Sequence, residues 1–207
     1  YRFIYFQMPK KQIQPVAFKE AINQLFEKNI IILWESETSG VIVDIRKNEV
    51  DEILSLDEII DVLMSDLYVN IRFFVGPYLK NLEHVQDHYK RIITGATTAF
   101  IYSESSVVSY IEAIPFMMVD QMTPDLKSDI QQLILQEFHD DKEFIQMVEV
   151  LLRSDLNISV AAKKLYMHRN SLQYRIEKFN KETGLDIRKF HHALTVYLAL
   201  LTKKQTP

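Results

Sequence analysis

Between His168 and Lys181 the chain reads HRNSLQYRIEKFNK, a set of residue types suited to hydrogen bonding and charge pairing. At 100° per residue, Leu172, Ile176 and Phe179 recur at four and three and fall in one narrow sector, so a helix here has an apolar face to bury. Asn170, Tyr174, Glu177 and Lys181 take the opposite arc, Ser171 and Gln173 flank it, and His168 and Arg169 stand at its amino end. A DNA major groove about 12 Å wide admits one helix that is held by a core on its inner side and presents donors and acceptors on its outer side. The positive end of the helix dipole and the free amides of the first turn favour a phosphate beside His168 and Arg169. Arg175 lies nearer the core side of the wheel. It reads either as structural, with stem packed and head paired, or as a phosphate contact.

Such a helix needs a partner to aim it. Upstream, Ser159 is the expected cap of a short helix, VAAKKL, whose Ala161, Ala162 and Leu165 permit close approach, and Tyr166-Met167 makes the turn. Downstream, Gly184 supplies a left-handed stop. The spacing predicts a helix-turn-helix core over 157–184 in a module that extends to Leu201. Charge points the same way. The whole chain carries −4, but residues 1–156 hold 14 Lys and Arg against 25 Asp and Glu, a balance of −11, whereas 157–207 hold 10 against 3, a balance of +7. A basic segment on an acidic body is expected where one part meets phosphate, although on charge alone a solvated basic face is the simpler alternative.

The rest of the chain must fold around this. Its 47% hydrophobic and 25% charged residues are ordinary for a soluble globular protein. There is no apolar run long enough for a membrane span and no signal-peptide pattern, so no membrane association is expected. The absence of cysteine excludes disulfides and thiolate chemistry and fits a reducing cytoplasm. The chain opens on Tyr1 and not on Met, which leaves room for an upstream domain.

Residues 1–120 alternate between strand and helix patterns. Strands are expected at Arg2–Gln7, at a hairpin formed by 29–34 and 41–45, at 69–76, near Ala99–Tyr102 and at 107–111. Helices are expected at about 15–28, after a Ser55/Glu58 capping box, and from Asn81 to about Thr98. This predicts an α+β, ferredoxin-like antiparallel sandwich with helices on one face of the sheet. From Thr123-Pro124 the reading is all helix, with a second start at Asp140, giving a helical domain over 123–207. The last stretch, HHALTVYLALL, is apolar nearly all round and needs covering by the recognition module, by a dimer partner, or by both.

The segment NISVAAKKLYMHRNSLQYRIEKFNKETGLDI resembles the carboxyl-terminal helix-turn-helix of the PucR/CdaR family of bacterial transcriptional regulators, through its His-Arg-Asn-Ser-Leu, Tyr-Arg and Thr-Gly-Leu-Asp elements. The resemblance implies a sequence-specific, double-stranded-DNA-binding, effector-responsive regulator of a catabolic operon, cytoplasmic and dimeric, with a degenerate GGDEF-like (cyclase-like) region over 1–120. Similarity to Fis-type recognition helices implies a DNA-facing set of His168, Arg169, Asn170, Ser171, Gln173, Tyr174 and Lys178. A small-molecule effector would act through the upstream or internal domain.

Other chemistry has simpler readings. His84 and His88 bracket Asp87 at metal-binding spacing, but no third ligand is evident. His191-His192 reads as surface, and Asp57, Asp61 and Asp66 read as the wet face of a helix. Phe116, Met117 and Met118 could fill a core or contact another domain. An alternative from a different class is a nucleotide-binding or cyclase-like enzyme with an appended DNA anchor. No Gly-Gly-Asp/Glu-Glu-Phe string and no Gly-rich phosphate loop supports it, so no catalytic residue, metal or cofactor is expected.

Overall fold

The computed structural model describes residues 1–10, 14–26, 30–45, 59, 62, 63, 65 and 70–204. The chain divides into two compact units, Tyr1–Met117 and Met118–Pro207.

The first unit is built on strands β1 (Arg2–Gln7), β2 (Ile31–Trp34), β3 (Ser39–Asp44), β4 (Arg72–Val75) and β5 (Val107–Ser109), with helices α1 (Pro15–Leu25) and α2 (Val85–Tyr102). The sheet order is β2-β3-β1-β4-β5. The pairs β2–β3, β3–β1 and β1–β4 are antiparallel, with Ile4 opposite both Ile42 and Val75, while β4 and β5 run parallel. The sheet is therefore mixed, not antiparallel throughout. The 18-residue α2 returns the chain to the start of β4's direction, which is how parallel neighbours are joined.

Alternation along β1 sends Ile4 and Phe6 to one face, where they meet Phe18 and Ile22 of α1 together with Ile59 and Leu63. Trp34 packs edge to ring with Phe6 and Phe18 at 5.2 and 5.6 Å, and those two rings lie tilted at 4.8 Å. Phe3 and Tyr5 point to the other face and pack on Tyr89 and Phe100 of α2. Helices thus cover both faces, not one. Gly95 makes the second layer close: a Cβ there would lie 3.0 Å from the Phe74 ring. Arg2 and Asp44, opposite each other across β1 and β3, form a buried 2.8 Å ion pair, and the Tyr78 hydroxyl donates to the same carboxylate at 2.7 Å. Arg72 closes the carboxyl end of α2 by donating to the carbonyls of Phe100, Ser103 and Ser105.

Several local expectations change. Ala99–Tyr102 is the last turn of α2, because Ile92, Ala96, Ala99 and Tyr102 continue one buried helical stripe. Asn81 does not cap that helix; its side chain accepts from the Glu83 amide, and the helix begins after His84. The Ser55/Glu58 capping box and Asp57, Asp61 and Asp66 lie outside the described residues, although Ile59, Val62 and Leu63 are helical. After Ser109 the strand gives way to α3 (Tyr110–Asp120), with Pro115 inside it. Phe116 is buried against Tyr102, and Met118 is exposed.

The second unit continues with α4 (Pro124–Leu135), a 3-10 turn (Gln136–Asp140), α5 (Lys142–Leu152), α6 (Ile158–Lys164), α7 (Arg169–Thr183) and α8 (Phe190–Lys203). Thr123 caps α4, with Pro124 in its first turn. Asp141, not Asp140, caps α5, since Asp140 closes the 3-10 turn and Asp141 accepts from the Phe144 amide at 2.9 Å. Asn157, not Ser159, caps α6, accepting from the amides of Ser159 and Val160. Left-handed backbone at Asp155 and Leu156 turns the chain so that helix geometry begins two residues early. Phe138, Phe144 and Phe179 stack at 4.6–5.0 Å in the centre of the core. One side of α8 buries Val196, Ala199 and Leu200 there, while Phe190 and Leu194 stay exposed. Among the described residues no helix is long and apolar enough to cross a membrane.

Candidate nucleic-acid interface

The site is built from α6, a turn and α7. Small residues set the distance between the helices, for Ala161 and Ala162 of α6 are buried in the same core as Leu172, Ile176 and Phe179 of α7, each of which is fully enclosed. With that stripe fixed, the remaining sides of α7 are turned outward.

His168 caps α7: its Nδ1 accepts from the Asn170 amide at 3.3 Å. A ring nitrogen that accepts leaves the proton on Nε2, so the cap still has a donor to offer. Arg169, Asn170, Ser171 and Tyr174 are exposed, and with His168 they form a continuous polar strip over the first turns. Gln173 is half-buried and donates to Glu177 Oε1 at 3.0 Å, while Lys178 is exposed and lies 3.9 Å from Glu182. Of the seven residues expected to face DNA, five therefore share the strip, and the other two are engaged with carboxylates of their own helix. Arg175 pairs its head with Glu143 of α5 at 3.0 Å. Beside α7 runs a groove of about 520 Å³, with Phe138, Asp141 and Phe144 on one side and Asn170, Tyr174 and Lys178 on the other.

Gly184 ends α7 in the left-handed region at φ 75°. The loop that follows is locked twice. Arg188 holds Asp186 at 2.7 Å, and His192 Nδ1 accepts from the Asp186 amide at 2.8 Å. The Arg188 hydrogen bonds hold the Asp186 carboxyl below the usual range, and the same contact raises the guanidinium. His191-His192 thus splits into an exposed ring and a structural one. His84 and Asp87 lie 3.8 Å apart on the surface, and among the described residues no group of three His, Asp or Glu is placed to hold a metal.

Sequence reasoning placed the turn at Tyr166-Met167 but gave Tyr166 no part in binding. Tyr166 is 99% exposed with φ 53°, and Lys163 and Lys164 of α6 are exposed beside it in sequence. The available signal was a bulky aromatic in a turn that commonly contains glycine.

Residues 144–202 match the PucR C-terminal helix-turn-helix domain. Over nearly its whole length, 99%, the chain is similar to the uncharacterized protein YxkF of Bacillus subtilis (strain 168), at 29% identity and over 69% of that protein. Half of the chain is 26% identical to the proline-responsive transcriptional activator PutR of the same organism, spanning 25% of it. Half is likewise 29% identical to its purine catabolism regulatory protein, spanning 19% of that chain.

Proposed function

We propose that the chain is a PucR-type DNA-binding transcriptional regulator whose α7 reads a specific operator through the strip His168, Arg169, Asn170, Ser171 and Tyr174, with Gln173 and Lys178 as flanking contacts. The observation that carries this reading is that Leu172, Ile176 and Phe179 are fully buried while Asn170 and Tyr174 on the opposite arc, Ser171 on its flank and His168 and Arg169 at the amino end are exposed. A rigid helix with one anchored face presents its first turns to the groove without reorganisation.

Unit 1 supports a ferredoxin-like, degenerate cyclase-like reading. Its four antiparallel strands follow the order β2-β3-β1-β4, α1 joins β1 to β2, and β5 is an added parallel edge. In this reading the fold serves as a regulatory body that transmits a small-molecule effector's signal, and the effector belongs to a catabolic pathway. Two copies bind one operator as a homodimer in the cytoplasm, since a lone helix-turn-helix touches few base pairs. Incubation of the protein with nucleoside triphosphates is expected to release no cyclic product; turnover would favour the enzyme alternative.

Selection of bound duplexes from a random pool tests the main reading. An operator should emerge, and Arg169→Ala should bind it about 1 to 3 kcal/mol more weakly, with relaxed preference at one position. An equal loss on every sequence would make Arg169 a phosphate contact, and an absence of enriched duplexes would refute base reading.

A further inference from the structure

We infer that Tyr166, in the turn between α6 and α7, is a DNA-backbone contact whose hydroxyl donates to a phosphate at the lip of the groove. This rests on the proposed reading of α7 and extends it to a residue outside the recognition helix.

The argument begins with the backbone. Tyr166 sits at φ 53°, a conformation that crowds the Cβ of any L-residue and is uncommon for a bulky one. Strain of this kind persists when the surroundings enforce it, and it clusters at functional positions. Here two hydrogen bonds enforce it, from the Tyr166 amide to the Lys163 carbonyl and from the Met167 amide to the Ala162 carbonyl. Glycine would satisfy the same geometry without strain.

Of the other positive-φ residues of this unit, Asp155 is exposed but of a type that tolerates this conformation, and two have contacts of their own. Leu156 packs against the core, and the Gln136 amide reaches the Leu133 carbonyl. The Tyr166 side chain, by contrast, is 99% exposed and makes no hydrogen bond or ring contact with any described residue. Among the described residues, the turn is held by backbone hydrogen bonds alone, and no side-chain contact engages the ring.

A partner outside the chain engages it. Tyr166 stands two residues before His168, so it borders the end of α7 that enters the groove, where the duplex backbone passes. Tyrosine hydroxyls are among the groups that fix register by bonding phosphate oxygens. The exposed Lys163 and Lys164 at the end of α6 add positive charge on the same stretch of chain.

A phosphate contact is independent of sequence, so a mixed-sequence 30-base-pair duplex serves as the probe. Tyr166→Phe is expected to lower affinity about tenfold at fixed salt, because it removes one hydrogen bond to a charged acceptor. It should leave the salt dependence of binding unchanged, because no cation is lost. Tyr166→Gly is expected to raise the thermal midpoint by relieving the turn while it lowers affinity at least as much. These opposite signs separate a functional tyrosine from a structural one. Wild-type affinity in Tyr166→Phe overturns the inference, and so does a Tyr166→Gly variant that is both less stable and equally tight. If the unaltered protein fails to bind the duplex, the parent reading of α7 falls, and this inference with it.

Discussion

Phe179 shows how much one residue of the recognition helix carries. It packs on both Phe138 and Phe144 and is fully enclosed, so Phe179→Ala should cost about 3 to 5 kcal/mol in chemical denaturation of the second unit. The three-residue stripe was legible because spacings of four and three leave no other helical face for it. Arg175 was not settled by sequence, since a wheel position cannot show that Glu143 of another helix stands within 3.0 Å. Both partners are well exposed, so Glu143→Gln should change stability by less than about 1 kcal/mol. Asp186 carries a pH signature. Its carboxyl titrates below its unfolded value of about 4 because Arg188 bonds the ionised form. The stabilisation it gives is therefore present above pH 4 and lost as acid carries the pH down through the lowered value. Arg188→Ala should remove that step from an acid-unfolding profile.

Among the elements, helix bodies were easier to read than their ends. Several Asp, Asn and Ser residues stand near each start, and only tertiary turns select one, as the left-handed Asp155 and Leu156 select Asn157. Asn157→Ala should cost about 1 kcal/mol of thermal stability, whereas Ser159→Ala should cost little. The Gly184 stop was legible because few other residues accept its conformation, and Gly184→Ala should destabilise by about 1 kcal/mol. Helix α3 escaped notice. Its run IPFMMV is apolar without clear period and holds a proline, which argues against helix locally. The second helical layer on the sheet was missed although β1 announces it: RFIYFQ is apolar on both alternations, the mark of a strand covered twice.

At the scale of the whole molecule, charge separates along the chain more sharply than composition suggests, with −11 before residue 157 and +7 after it. Duplex affinity should therefore fall steeply as salt rises from 50 to 200 mM, measured by fluorescence anisotropy. Light scattering of the saturated complex should give two chains per operator, with half-sites about 34 Å apart; one chain at full affinity would overturn the dimer. The α+β character and the helix-turn-helix were legible at this scale because they rest on periodicity and charge. The parallel edge was not, because strand direction depends on which way α2 carries the chain.

Helix α8 lies beyond the proposed contacts, yet its Val196, Ala199 and Leu200 belong to the same buried core as Leu172, Ile176 and Phe179. A truncation that removed its last two turns would take Ala199 and Leu200 out of that core. The trimmed product would be inert, and it could not linger as a stray competitor for the promoter.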